Sequence, residues 1–158
     1  MLNVNKEKNE IKKLKKNFES NTPFPYVLIP NALDPFVLSN VAKEVDILNP
    51  SVEKNFYGST KKFTESRLCK LPYNTQNLLR FFNSVEFIEF LSQITGIDDL
   101  ISDPYYEGGG VHKTYKDGFL KVHTDFNWNS KLKAYRRINV IIYLNKKWKK
   151  EWGGECEF

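Results

Sequence analysis

Two segments of the chain place apolar residues at the spacing of an amphipathic helix. In the first segment the i, i+3, i+4, i+7 positions are Leu38, Val41, Ala42 and Val45, and they predict a helix over residues 35–48. Asp34-Pro35 marks its start, because Asp accepts free backbone N–H groups and Pro fits the first helical position. In the second segment the same spacing predicts a helix over 84–95, with Phe87, Phe90, Leu91 and Ile94 on one face. A further helix is predicted around 74–82.

The pattern changes after Asp103-Pro104 to short β-like runs separated by turns. The predicted strands are Val111–Tyr115, Phe119–Asp125, Arg137–Leu144 and a run that begins after Gly154. Helices followed by strands predict an α+β fold, in which the helices brace one face of a sheet or barrel. The first 20 residues read as a charged N-terminal tail that forms at most a short amphipathic helix. Residues 21–158 then form a single domain.

Composition narrows the class of protein. Hydrophobic residues make up 41% of the 158 residues and aromatic residues 15%, which is enough for a sizeable core. No stretch approaches the roughly 18 apolar residues that span a bilayer, and the N-terminus does not resemble a signal peptide. Two cysteines are too few for a disulfide framework. We therefore expect a soluble, reduced, cytoplasmic protein without a membrane partner.

The net charge of +5 comes from 24 Lys and Arg against 19 Asp and Glu. Part of the basic excess lies in the first 20 residues and part around 113–137. A lysine-rich run on its own indicates a solvated surface. Nucleic-acid binding needs a stacking or groove-entering module beside the charge, and none is visible, so we do not expect nucleic acid as a partner.

One constellation could carry chemistry. Gly108-Gly109-Gly110 lacks the spacing of phosphate-binding loops, and neither Ser nor Cys stands in a nucleophile context. His123-Thr124-Asp125 remains, at the end of a predicted strand. Alternation would put His123 and Asp125 on one face, about 7 Å apart along the strand. With a second histidine they would complete the two-histidine, one-carboxylate triad that holds non-haem Fe(II), although a lone H-x-D also occurs as a surface hydrogen bond.

The predicted strand Arg137–Leu144 has two different faces. One face is apolar and carries Ile138, Val140, Ile142 and Leu144, whereas Asn139 and Tyr143 share the other face with Ile141. Polar groups on one side of a buried strand are typical of the wall of a ligand pocket. Ordinary cross-strand hydrogen bonds explain the same pattern, and the residues alone leave both interpretations open.

Three runs together resemble a known family: GGGVHKTYKDGFLKVHTDFN, RRINVIIYLNKKW and EWGG. They resemble the prolyl 4-hydroxylase-like branch of the Fe(II)/2-oxoglutarate-dependent dioxygenases. The resemblance implies the first half of a double-stranded β-helix, or jelly roll, behind N-terminal bracing helices. It implies that His123 and Asp125 bind Fe(II), and that Tyr115, Asn139 and Tyr143 line the 2-oxoglutarate pocket. It also implies O₂ as cosubstrate, ascorbate as a further candidate cofactor, and a protein or small metabolite as substrate.

The sequence departs from the family pattern in its iron ligands. The family has a second histidine after H-x-D, followed by a basic residue that binds 2-oxoglutarate. No histidine follows His123 here, and His112 precedes it where the family has no ligand. We therefore expect a domain that is incomplete at its C-terminus, and an inactive fragment. A non-catalytic binding module derived from the oxygenase fold is the main alternative, and a basic nucleic-acid-associated domain is a second one.

Overall fold

A computed structural model of the protein describes residues 8–49, 52–53 and 59–154. Its helices and strands follow each other in the order α1 (Lys8–Ser20), α2 (Pro35–Ile47), β1 (Val52–Glu53), β2 (Ser59–Glu65), α3 (Tyr73–Phe82), α4 (Val85–Thr95), β3 (Val111–Leu120), β4 (Trp128–Asn129) and β5 (Ala134–Tyr135). Short 3₁₀ turns lie at Leu68–Lys70 and Lys150–Trp152. Helices together with small antiparallel sheets agree with the predicted α+β class, although β1 and β2 precede α3 and α4 and the expected order of helices followed by strands is not kept.

The three predicted helices are confirmed, and capping residues explain where α2 and α4 begin and where α4 ends. Asp34 Oδ1 accepts the backbone N–H groups of Phe36 at 2.8 Å and Val37 at 3.4 Å. Ser84 Oγ accepts the N–H of Phe87 at 3.3 Å. Gly96 ends α4 with φ +69°, a left-handed conformation that glycine adopts without steric cost. Local side-chain chemistry therefore fixes α2 and α4.

The helices pack around two hydrophobic clusters. The first cluster consists of the buried face of α4: Phe87, Phe90, Leu91 and Ile94. The second cluster joins α2, α3 and the start of β3: Val41, Val45, Leu71, Leu78 and Val111. Helix α1 packs on the first cluster through Ile11 and Leu14. Residues 8–20 of the charged N-terminal segment thus form a short amphipathic helix that packs on the helical core.

The larger sheet has the order β1-β2-β3, and both pairings are antiparallel. Glu65 faces Val111 at one end of the β2–β3 ladder and Ser59 faces Leu120 at the other, with an irregularity between Thr60 and Lys62. The smaller sheet is the β4–β5 hairpin. The sheets are thus short, and the helical part of the chain contains most of the core.

Two contacts attach β3 to its surroundings. The Lys113 ammonium donates to the carbonyls of Val45 at 3.0 Å, Asp46 at 3.1 Å and Leu48 at 3.0 Å, at the C-terminal end of α2. A cation is favourable there because the last carbonyls of a helix lack intrahelical partners. Gly110, with φ +97°, passes so close to β2 that a Cβ atom would lie 2.4 Å from the Glu65 carbonyl oxygen. The strand that leads to the candidate site is therefore held at its start.

The predicted strands after β3 are partly wrong. β3 runs continuously from Val111 to Leu120, and residues 121–125 and 137–144 are not strands. The second segment nevertheless keeps some of its alternation, because Ile138, Ile142 and Leu144 pack on the helical clusters while Val140 is 44% exposed. Alternation indicates which side is buried, but a strand also requires a hydrogen-bonded neighbour.

The described part of the chain contains no double-stranded β-helix. The strand predicted after Gly154 lies outside the described residues. Among the helices that are described, none is both long and apolar enough to cross a membrane.

Candidate functional site

His123 and Asp125 meet in the exposed loop that follows β3. His123 Nε2 lies 3.3 Å from Asp125 Oδ1, and the two side chains are 46% and 49% exposed. The predicted pair is therefore in contact, although it lies in a loop and not on a strand.

The partner of His123 Nδ1 fixes the tautomer of the imidazole ring. His123 Nδ1 lies 2.7 Å from the carbonyl oxygen of Lys121. A carbonyl only accepts hydrogen bonds, so Nδ1 must carry the proton. In the neutral imidazole, the Nε2 lone pair then faces a carboxylate oxygen. Such a juxtaposition is favourable only with a cation between or on the two groups, either a proton on Nε2 or a metal ion.

The second oxygen of Asp125 is held by two other side chains. Oδ2 accepts from Asn139 Nδ2 at 3.3 Å and lies 3.3 Å from Arg136 Nη2. Arg136 Nη2 also donates to Asn139 Oδ1 at 3.1 Å. Asn139 was predicted as a pocket residue, but sequence reasoning missed Arg136. The only signal was its place in the basic stretch around 113–137.

This donor set fits part of a metal site. A histidine is a typical ligand when its other ring N–H bonds to a carbonyl, as His123 does. Ligands at about 2.1 Å from a metal and at right angles lie about 3 Å apart, close to the observed His123–Asp125 contact. However, the described residues contain no group of three His, Cys, Asp or Glu that could hold an ion. His112, on β3, instead contacts the carbonyl of Gly109 at 3.3 Å.

The two tyrosines predicted to bind 2-oxoglutarate lie in two different surroundings. Tyr115 lies on β3, where its ring packs edge-on against Phe63 at 5.1 Å and Lys113 Nζ lies 5.5 Å from its centroid. Tyr143 is 55% exposed, in the segment where it alternates with the inward-facing Ile142 and Leu144. The structure therefore brings together His123, Asp125 and Asn139 among the five predicted site residues.

Comparison with known proteins gives one finding for this region. No significant match to the chain is found among curated proteins or among solved structures. Every predicted site residue, together with Arg136, lies within a segment that matches a family model. Residues 109–158 match the family model of the 2OG-Fe(II) oxygenase superfamily.

Proposed function

We propose that the protein is an Fe(II)- and 2-oxoglutarate-dependent dioxygenase of the prolyl 4-hydroxylase-like branch, with His123 and Asp125 as two of its iron ligands. One observation carries this proposal. Within the oxygenase-superfamily segment, the Nε2 lone pair of His123 faces Asp125 Oδ1 at 3.3 Å, and the Lys121 carbonyl fixes the tautomer that leaves this lone pair available.

Each residue of the site has a separate task in this proposal. Bound Fe(II) would supply the activation of O₂ and the oxidation of 2-oxoglutarate that drives hydroxylation of a substrate. The Lys121 carbonyl orients the His123 ring, and Asn139 holds the Asp125 carboxylate. The hydroxyls of Tyr115 and Tyr143 would donate hydrogen bonds to 2-oxoglutarate. Ascorbate enters the proposal from the family resemblance alone.

A facial triad needs one more histidine than this cluster provides. In this proposal a partner chain or a longer form of the protein would supply the third ligand, the basic partner of 2-oxoglutarate and the strands that complete a jelly roll. The 158-residue chain alone should then form no succinate from 2-oxoglutarate. The substrate would be a protein or a small metabolite.

The proposal is tested in a form of the protein that is completed with a third iron ligand. Succinate formation from 2-oxoglutarate and Fe(II) should be lost in His123→Ala and in Asp125→Ala. His112→Ala is the matched control, because it removes the other histidine of the chain and should keep the activity. Near-normal turnover in both site variants would contradict the assignment.

A non-catalytic binding module is the second candidate function. It is favoured by the near half-exposure of His123 and Asp125 and by the presence of two ligands and not three among the described residues. It predicts that Mn(II), used as a redox-stable substitute for Fe(II), does not bind at His123. Paramagnetic broadening of the residue 123–126 amide signals by Mn(II) would exclude this alternative.

A further inference from the structure

Arg136 lies between an aromatic ring and the Asp125 carboxylate. Its guanidinium carbon is 4.8 Å from the centroid of the Phe126 ring, and its Nη2 atom is 3.3 Å from Asp125 Oδ2. The side chain is 20% exposed, compared with 49% for Asp125. A planar guanidinium stacks on aromatic rings and retains several donors in fixed directions. Arg136 is thus the more constrained partner of the pair.

The backbone makes room for this arrangement at Gly108. With φ +73°, Gly108 has a conformation that other residues rarely adopt, and a Cβ atom there would lie 2.7 Å from Phe126 Cε1 and 3.4 Å from Arg136 Nη1. The backbone N–H of Arg136 also donates to the Asn127 carbonyl at 2.8 Å. The ring and the guanidinium are therefore confined from two sides, next to the exposed loop that carries Asp125.

We propose that Arg136, supported by Phe126, is a positioning residue that holds Asp125 with Oδ1 toward His123 Nε2. The inference rests on the proposed function, because this orientation of Asp125 matters only if Asp125 and His123 bind a metal ion. A carboxylate that is half exposed exchanges rotamers freely unless one oxygen is held. Arg136 occupies Oδ2 together with Asn139, so the oxygen left for a metal ion is Oδ1. Outer partners of this kind commonly change metal affinity 10- to 100-fold when they are removed.

The neighbouring arginine provides a matched control. Arg137 carries the same charge one position along the chain and is exposed. Its guanidinium forms no ion pair with the described residues. Replacing either arginine by lysine keeps the charge near the site, so repulsion of a cation is almost unchanged. Only Arg136→Lys removes a guanidinium that stacks on Phe126 and forms an ion pair with Asp125.

The experiment uses the 158-residue chain and two readouts. The first is the Asp125 χ1 angle in the metal-free chain, measured by NMR scalar couplings. The second is Mn(II) affinity, measured by broadening of the residue 123–126 amide signals. We expect one Asp125 rotamer in the parent and in Arg137→Lys, and rotamer averaging in Arg136→Lys with about tenfold weaker Mn(II) binding. Phe126→Leu should change both readouts in the same direction, since it removes the stacking ring without changing any charge.

The two readouts separate the inference from the proposed function. If His123→Ala leaves the Mn(II) broadening intact, the proposed metal site is wrong, whereas the rotamer measurement still decides the role of Arg136. The inference is overturned if Asp125 keeps one rotamer in a folded Arg136→Lys chain. Where the Mn(II) broadening depends on His123, it is also overturned if Mn(II) affinity in that variant stays within twofold of the parent. If thermal melting shows that Arg136→Lys does not fold, the same criteria apply to Phe126→Leu.

Discussion

Glu44 should make the stability of the helical core depend on pH. Helix α3 begins after Pro72, which has no side-chain acceptor for the first free N–H groups of the helix. Glu44 of α2 supplies the missing acceptor from the other side of the α2–α3 interface. Its Oε1 accepts from the backbone N–H and Nδ2 of Asn74 at 3.0 and 2.7 Å, and its Oε2 accepts from the N–H and Oγ1 of Thr75, both at 2.8 Å.

The direction of the pH effect follows from the Glu44 carboxylate. Burial raises the pKa of Glu44, but the hydrogen bonds from Thr75 and Asn74 together lower it by a larger amount. The pKa therefore lies below its ordinary value. A lowered pKa in the folded state means that the ionised form stabilises the fold. This stabilisation is fully present above the unfolded-state pKa, about 4.3. It is lost as the pH falls through the lower folded-state pKa.

Glu44→Gln should lower the free energy of unfolding by about 2 kcal/mol at pH 7. Hydrogen bonds to a charged group contribute about 1.5–3 kcal/mol, and Gln keeps one acceptor oxygen but turns an NH₂ group toward the donors. For a chain of this size, the melting temperature should fall by about 4–8 °C. Urea unfolding followed by circular dichroism, at pH 7 and at pH 3, measures the effect.

The control for this variant is Glu89→Gln, an exposed glutamate of α4, which should change stability by less than about 0.5 kcal/mol. At pH 3 the difference between Glu44→Gln and the parent should shrink, because that pH lies below the unfolded-state pKa of about 4.3 and the stabilisation by ionised Glu44 is already partly lost. A Gln variant as stable as the parent at pH 7, or a difference that is equal at both pH values, would refute the argument.

Three further predictions concern β3 and the cosubstrate. Lys113→Met should cost about 1–3 kcal/mol of unfolding free energy in urea, since three carbonyls at the end of α2 lose a charged donor; an unchanged midpoint would contradict this. Gly110→Ala should cost at least about 2 kcal/mol, because its Cβ would meet the backbone of β2. Gly154→Ala, also at positive φ but with open space, should melt closer to the parent. If the proposed function holds, Tyr115→Phe and Tyr143→Phe should each weaken 2-oxoglutarate affinity roughly 10- to 150-fold in a form completed with a third iron ligand; two unchanged Michaelis constants would leave both residues structural.

The helices were predictable from sequence because their determinants are local. Asp34, Ser84 and Gly96 act within one turn of the residues they cap, and the apolar spacing indicates the buried face without reference to other elements. Strands lack this independence. The residues 137–144 alternate as a strand does, yet they form none, because a ladder also depends on a neighbour that the segment cannot specify.

Three members of the polar cluster, His123, Asp125 and Asn139, were named from the sequence, but the geometry of the cluster was not predictable. The H-x-D spacing predicted that His123 and Asp125 lie on one face of a strand. The two side chains are in contact, but they lie in the loop that follows β3. Arg136 could not be singled out, since Arg137 has the same chemistry beside it. Only the folded chain distinguishes them, by stacking one of the two on Phe126.

The site joins two segments that are anchored to different degrees. Asn139 lies in a segment attached to the helical core by Ile138 and Ile142, whereas His123 and Asp125 belong to an exposed loop that meets it through polar contacts. Local opening can therefore separate the loop with His123 and Asp125 from the Asn139 segment while the helices stay folded. Hydrogen exchange should show fast amides around 121–125 and slow ones in α4. High salt should increase this difference in exchange rate, because it screens the Asp125–Arg136 ion pair. Since the helices stay folded when the loop opens, a melting curve will not detect loss of the site.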